Sequence, residues 1–171
     1  MKKLLLALVC WVSTSLSAND GITGFWNTIS EETGKAQSVV AIYEYQGGYY
    51  GRLIGSYNDA GKIDDTIYDP KSRATALPGQ PFYMGMDFIW DLRQKGSDYK
   101  GKILDPEKGN VYKAVLWTEN GNLNVKGKLA FIGRTQTWVP ATKKDFPSGF
   151  KMPDTSQFVP VAPVDELVPF P

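Results

Sequence analysis

Gly133-Arg134-Thr135-Gln136-Thr137-Trp138, set against Gly24-Phe25-Trp26 near the start of the chain, decides the fold. Each stretch reads as a strand, one opening and the other closing a series of them. A Trp in the first strand and an Arg in the last suggest a sheet whose two edges meet. A guanidinium would then lie on an indole, an attraction worth about 0.5–2 kcal/mol. Trp26 and Arg134 are therefore expected to close the barrel rather than to serve a ligand.

Between these marks the chain alternates apolar and polar residues and breaks at turn formers. Ile22 to Thr28 reads as the first strand and Gln37 to Tyr45 as the second. Gln46-Gly47-Gly48 is a hairpin turn, and Tyr49 to Tyr57 returns. Asn58-Asp59-Ala60-Gly61 turns again before a weaker strand near Lys62 to Tyr68. Asp69 to Pro81 carries three prolines and reads as a long loop. Strands follow over Phe82 to Leu92, Asp98 to Leu104, Asn110 to Trp117, Asn122 to Phe131 and Gly133 to Val139. In the strand from Asn122, Leu123, Val125 and Leu129 alternate with polar residues, and Gly127 interrupts the inner row. The expectation is all-β: an up-and-down antiparallel barrel of about eight strands.

The flanks differ in character. Met1-Lys2-Lys3 followed by an apolar Leu4 to Val12 reads as a secretory leader, too short to span a bilayer. Ser15, Ser17 and Ala18 offer small residues for cleavage, so residues 1–18 are assigned to a signal peptide. Cys10 falls inside the leader, and Val9 before it does not suit a lipoprotein anchor. Residues 19–139 form the barrel and 140–171 a tail with seven of the chain's eleven prolines. Proline lacks the N–H of a ladder, so the tail adds no central strand and is expected to be extended. Phe146, Phe150, Met152, Phe158 and Phe170 give it apolar anchors for wrapping the barrel or docking on a partner.

Composition excludes several functions. Removing residues 1–18 from 171 leaves 153, one domain that buries roughly 70% of its unfolded surface. That mature chain has no Cys and uses no disulfide. Without Lys2 and Lys3, 19 basic residues become 17 against 18 acidic ones. No basic tract stands out, so nucleic acid is not an expected partner. The chain has no histidine. Ser-His-Asp and Cys-His catalysis are thereby excluded, and nearly all zinc chemistry with them. Neither a cofactor nor a metal is expected. Asp105, Glu107, Asp64 and Asp65 would make a glycosidase pair only if their loops converge, and Asp105 before Pro106 is more simply a turn former. Asn58-Asp59-Ala60-Gly61 lacks calcium-ligand spacing.

The residues also carry a resemblance. Gly24-x-Trp26 resembles the Gly-x-Trp start of lipocalins and other calycins, in which an Arg near the final strand packs on the Trp; Arg134 matches that position. More closely, the chain resembles an uncharacterised family of secreted bacterial proteins, a domain of unknown function with a lipocalin-like barrel. The matching pieces are Gly24-x-Trp26, Gly51-Arg52, the run from Gly101 to Pro106 with Gly109 and Tyr112, and Gly133 to Trp138. The likeness covers Gly21 to Val139. It lacks the family's Cys after the third strand and its Arg after the final Trp. It implies a barrel in the envelope or outside the cell that binds something small.

The expected function is that of an exported, non-enzymatic binding protein, periplasmic or secreted. Its barrel would hold a small hydrophobic or amphipathic ligand. Arg52 and Gln136 are candidates for the head group, and Tyr50, Trp90, Trp117 and Trp138 for the apolar part. Arg52 has a second reading, a pair with Glu44 across the hairpin. The alternative function is an envelope interaction module with a filled barrel, contacting another protein through the tail.

Overall fold

The structure is a computed structural model and describes residues 21–127 and 135–161. The leader and Arg134 lie outside the described residues. Nine strands follow in order: β1 (Gly24–Ile29), β2 (Ala36–Tyr45), β3 (Gly48–Tyr57), β4 (Ile63–Thr66), β5 (Asp87–Lys95), β6 (Asp98–Asp105), β7 (Asn110–Glu119), β8 (Asn122–Gly127) and β9 (Thr135–Pro140). Each pairs antiparallel with its neighbour, and eight of them close a ring in the order β1-β2-β3-β5-β6-β7-β8-β9. The ring shuts where Trp26 faces Pro140 and Asn27 faces Val139. Pro140 has no N–H to offer, and the next donor, Ala141 N–H, bonds Phe25 O at 2.8 Å. β4 pairs only with β3 and stands outside the ring.

The alternation read from sequence sorts side chains onto two surfaces. Val40 and Ile42 of β2, Leu53 of β3, Ala114 and Leu116 of β7, Leu123 and Val125 of β8, and Trp138 of β9 belong to the interior core. Val39 and Ala41 of β2 and Ile54 of β3 point the other way, into a second core on the outer wall. The tail covers that wall: Phe146 is buried there, and Phe150, Met152 and Phe158 pack beside it. Strand β2 is thus covered on both faces. This is why Val39-Val40-Ala41-Ile42-Tyr43 is continuously apolar instead of alternating. Two short 3₁₀ turns, Lys143–Asp145 and Thr155–Gln157, punctuate the strap, each capped by the side chain before it.

The two ends of β5 depart furthest from the sequence reading. β5 starts at Asp87 and not at Phe82. Residues 82–86 are held by turns instead: Gly85 N–H donates to Leu53 O at 2.8 Å, with Gly85 at φ +92°. β5 also runs on past Leu92 through a kink at Asp91, φ +55°, where the register with β6 slips. The partner at that kink is Gly101. A Cβ there would lie 2.7 Å from both Leu92 N and Trp90 O, so the kinked backbone leaves room only for glycine. The long loop is not purely polar packing material. Its Ala74 and Leu77, with Met84 and Met86 after it, are buried in the interior core.

Candidate functional site

A cavity of about 610 Å³ opens at the end of the barrel where β1, β3, β6 and β8 finish. Its apolar wall comes from inward residues of five strands: Leu53, Phe88, Ile103, Val125 and Trp138. The segment before β5 adds Tyr83 and Met84. Hydroxyl and amide groups sit nearer the rim, among them Thr28, Ser38, Ser56 and Gln136. Residues 128–134, between β8 and β9, lie outside the described residues.

Gln136 and Trp138 are the two candidates that reach the cavity. The inner row of β9 is therefore Gln136 and Trp138, opposite Val125 and Leu123 of β8. Trp138 is 2% exposed, and its ring stands 6.3 Å from Phe88. Its Nε1–H donates to Gln136 Oε1 at 3.1 Å.

Three other candidates sit elsewhere. Trp117 flanks the inward Leu116 and pairs with Asn124, so it lies on the outer surface. Trp90 is buried in the core, opposite Lys102, and does not line the cavity. Tyr50 pairs with Tyr43 on the outer wall, their rings stacked at 5.7 Å. Trp26 is buried toward the opposite end, where its Nε1–H donates to Ile22 O at 2.9 Å. The Arg134 half of the expected closure pair lies outside the described residues.

Arg52 is the clearest correction. It does not point into the barrel, and it does not pair with Glu44, which is exposed. It pairs with Ala41 in the ladder and so shares the outer wall. There it meets Asp87, a residue that the sequence reading missed. Arg52 Nε donates to Asp87 Oδ1 at 3.1 Å, and Nη2 to Oδ2 at 2.8 Å, a bidentate fork. Tyr43 O–H donates to the same carboxylate at 2.9 Å. The tail closes over the group. Arg52 Nη2 donates to Val159 O at 2.6 Å, Val161 N–H donates to Asp87 Oδ2 at 2.6 Å, and Asp87 N–H returns a bond to Val161 O at 3.1 Å. The Phe158 ring lies 4.4 Å from the guanidinium carbon. Burial opposes the Arg52 charge, but Asp87 and Tyr43 outweigh it and hold the guanidinium protonated above its ordinary value. Burial, then the Asp87 charge, pushes the Tyr43 phenol well above its usual range. A signal for Asp87 existed: it is the lone carboxylate inside Met84-Gly85-Met86-Asp87-Phe88-Ile89-Trp90, where an unpaired charge would be too costly to bury.

The acidic loops do converge. Asp65, Asp105 and Glu107 all line the cavity. Two of them are engaged in holding their own loops. Asp65 accepts from Lys71 N–H at 2.9 Å and Ser72 N–H at 3.1 Å; Asp105 Oδ1 accepts from Glu107 and Lys108 N–H at 3.1 and 3.2 Å. Asn58 Oδ1 caps its turn by accepting from Ala60 and Lys62 N–H. Among the described residues no cluster has the side chains to hold a metal ion, and no helix is long and apolar enough to cross a membrane.

Residues 24–139, from the first residue of β1 to the penultimate residue of β9, match a family described as "Uncharacterized protein conserved in bacteria", DUF2147. The chain belongs to the DUF2147 family. No curated protein and no solved structure gives a significant match. The DUF2147 region thus coincides with the ring of strands, and the strap from Ala141 falls beyond it.

Proposed function

We propose that this DUF2147 chain is an exported, non-enzymatic binding protein of the periplasm or the cell exterior. Its lipocalin-like barrel holds one small hydrophobic or amphipathic molecule. The observation that carries this reading is the cavity. Its volume of about 610 Å³ falls among those of small-molecule sites. It joins a wall of Trp138, Phe88, Ile103 and Val125 to a polar rim, the pattern that orients an amphipathic guest. A binding role needs no histidine, and the chain has none. The cavity carboxylates Asp65 and Asp105 are engaged with backbone N–H groups and hold their own loops. The leader-like Met1 to Ala18 supports export. A role centred on the tail as a contact surface has less support, because Phe146, Phe150 and Phe158 already pack on the barrel's own wall.

Native mass spectrometry of the protein purified from its own host tests the reading. A discrete adduct is expected on the parent chain. Val125→Trp, which fills the cavity, is expected to remove it while the far-ultraviolet spectrum stays that of a β protein. An adduct unaffected by filling the cavity would refute the site. Absence of any adduct, together with no saturable uptake of apolar dyes, would refute the function.

A further inference from the structure

One hydrogen bond bears directly on the polar chemistry of a guest held against the aromatic wall. An indole N–H can only donate. Trp138 Nε1–H lies 3.1 Å from Gln136 Oε1 and so fixes which end of the amide faces it. That bond takes one of the two carbonyl lone pairs, and the other end, Nε2, carries two N–H donors. Among the described residues no group accepts from Gln136 Nε2. Gln136 itself lines the cavity, beside the aromatic wall of Trp138 and Phe88. A guest lying against that wall therefore meets a donor that an acceptor on the guest would engage.

The charge around the cavity narrows the acceptor further. Its described lining holds four carboxylate residues, Glu31, Asp65, Asp105 and Glu107, against one ammonium, Lys108. The cation that would have suited a carboxylate or phosphate head group, Arg52, stands on the outer wall and is neutralised by Asp87. Among the described residues an anionic head group would meet more carboxylates than cations, with no counter-charge from Arg52. An uncharged carbonyl meets a donor and no repulsion.

We propose that the cavity selects uncharged amphiphiles bearing a ketone, ester or amide carbonyl. The carbonyl oxygen accepts from Gln136 Nε2, and the apolar body packs on Trp138, Phe88, Ile103 and Val125. This rests on the cavity being a binding site, and the test separates the two claims.

The probe is Prodan, a neutral naphthalene ketone whose emission reports hydrogen bonding to its carbonyl. Its comparison is the analogue in which the ketone is a methylene, 2-dimethylamino-6-propylnaphthalene, read by competition. Wild-type protein is expected to bind Prodan saturably at one site, and the anionic dye 1-anilinonaphthalene-8-sulfonate more weakly. Gln136→Leu is expected to weaken Prodan about tenfold and shift its bound emission to the blue. Gln136→Glu keeps an acceptor for Trp138 but loses both donors, and it is expected to weaken Prodan at least as much. Neither substitution is expected to weaken the methylene analogue. If neither probe binds wild type, the cavity reading itself fails. If both bind but the substitutions change them equally or not at all, the carbonyl assignment fails and the cavity reading stands. Anionic dye binding as tight as Prodan would overturn the selection for neutral guests.

Discussion

Asp87→Ala tests the outer clasp most severely. The carboxylate is 0% exposed and accepts from four donors: Arg52 Nε, Arg52 Nη2, Tyr43 O–H and Val161 N–H. Removing it leaves Arg52, whose side chain is only 10% exposed, with Val159 O, the Tyr43 hydroxyl oxygen and two aromatic rings but no counter-charge. A buried charge deprived of its partner costs about 3–5 kcal/mol. The Val161 N–H loses its acceptor as well, so the upper half of that range is expected. Urea unfolding followed by tryptophan fluorescence reads the effect. At a slope near 2 kcal/mol per molar, the midpoint falls by roughly 2 M. The double substitution Arg52→Met with Asp87→Leu is expected to recover most of the loss, because a well-packed apolar pair replaces a desolvated ionic one. A cycle of the two single variants and the double isolates the coupling. A loss for Asp87→Ala below about 1 kcal/mol, the level of an exposed ion pair, would refute the claim that strap and barrel share a buried electrostatic lock.

Three other outcomes follow from particular contacts. Phe146→Ala, which empties the outer core beneath the strap, is expected to cost about 3–5 kcal/mol and to open residues 141–161 to protease before the barrel; simultaneous cleavage everywhere would argue against a separately seated strap. Gly101→Ala is expected to destabilise more than Gly51→Ala by thermal melt. Its Cβ would strike backbone at 2.7 Å, whereas that of Gly51 meets side-chain atoms of Ile89 and Ile42 at 2.9 and 3.0 Å, which have some freedom to shift. Stability is expected to fall as pH rises above about 10, where unfolded tyrosines release their protons. Burial, then the Asp145 charge, pushes the Tyr57 phenol up to about 12. The native state therefore retains that proton between the two values, and the stabilisation present below pH 10 is lost across that interval. Tyr57→Phe removes this part of the alkaline slope, and an unchanged slope in urea titrations at several pH values would contradict it.

Much of the strand order was legible because period-two patterning and turn residues are local signals. Asn120-Gly121 and Gln46-Gly47 mark hairpins whatever the chain does elsewhere, and both lie at turns with positive φ. Leu123 and Val125 were correctly placed on an inner row for the same reason. β5 was misplaced because its start depends on Gly85 N–H reaching Leu53 O, a contact 32 positions away in the chain. Of the candidate binding residues, Gln136 and Trp138 reach the cavity, whereas Arg52, Tyr50 and Trp117 face outward. Alternation tells which residues share a face, but not which of two covered faces is the inside. On β2 and β3 both faces are buried, so the pattern that normally separates them is lost.

Local sequence signals were enough for the all-β class, the succession of hairpins, the absence of histidine from the chain and of cysteine beyond position 10, and the change of character at Pro140. These depend on backbone periodicity, on φ preferences at glycine and proline, and on composition, all of which act over a few residues. Tertiary structure alone decided that Arg52 belongs with Asp87 beneath Val159 and Val161, and that Trp138 orients the Gln136 amide beside a cavity. Closure brings together residues from remote strands, and the free energy of burying a charge or aligning a donor depends on those neighbours, which no local pattern records.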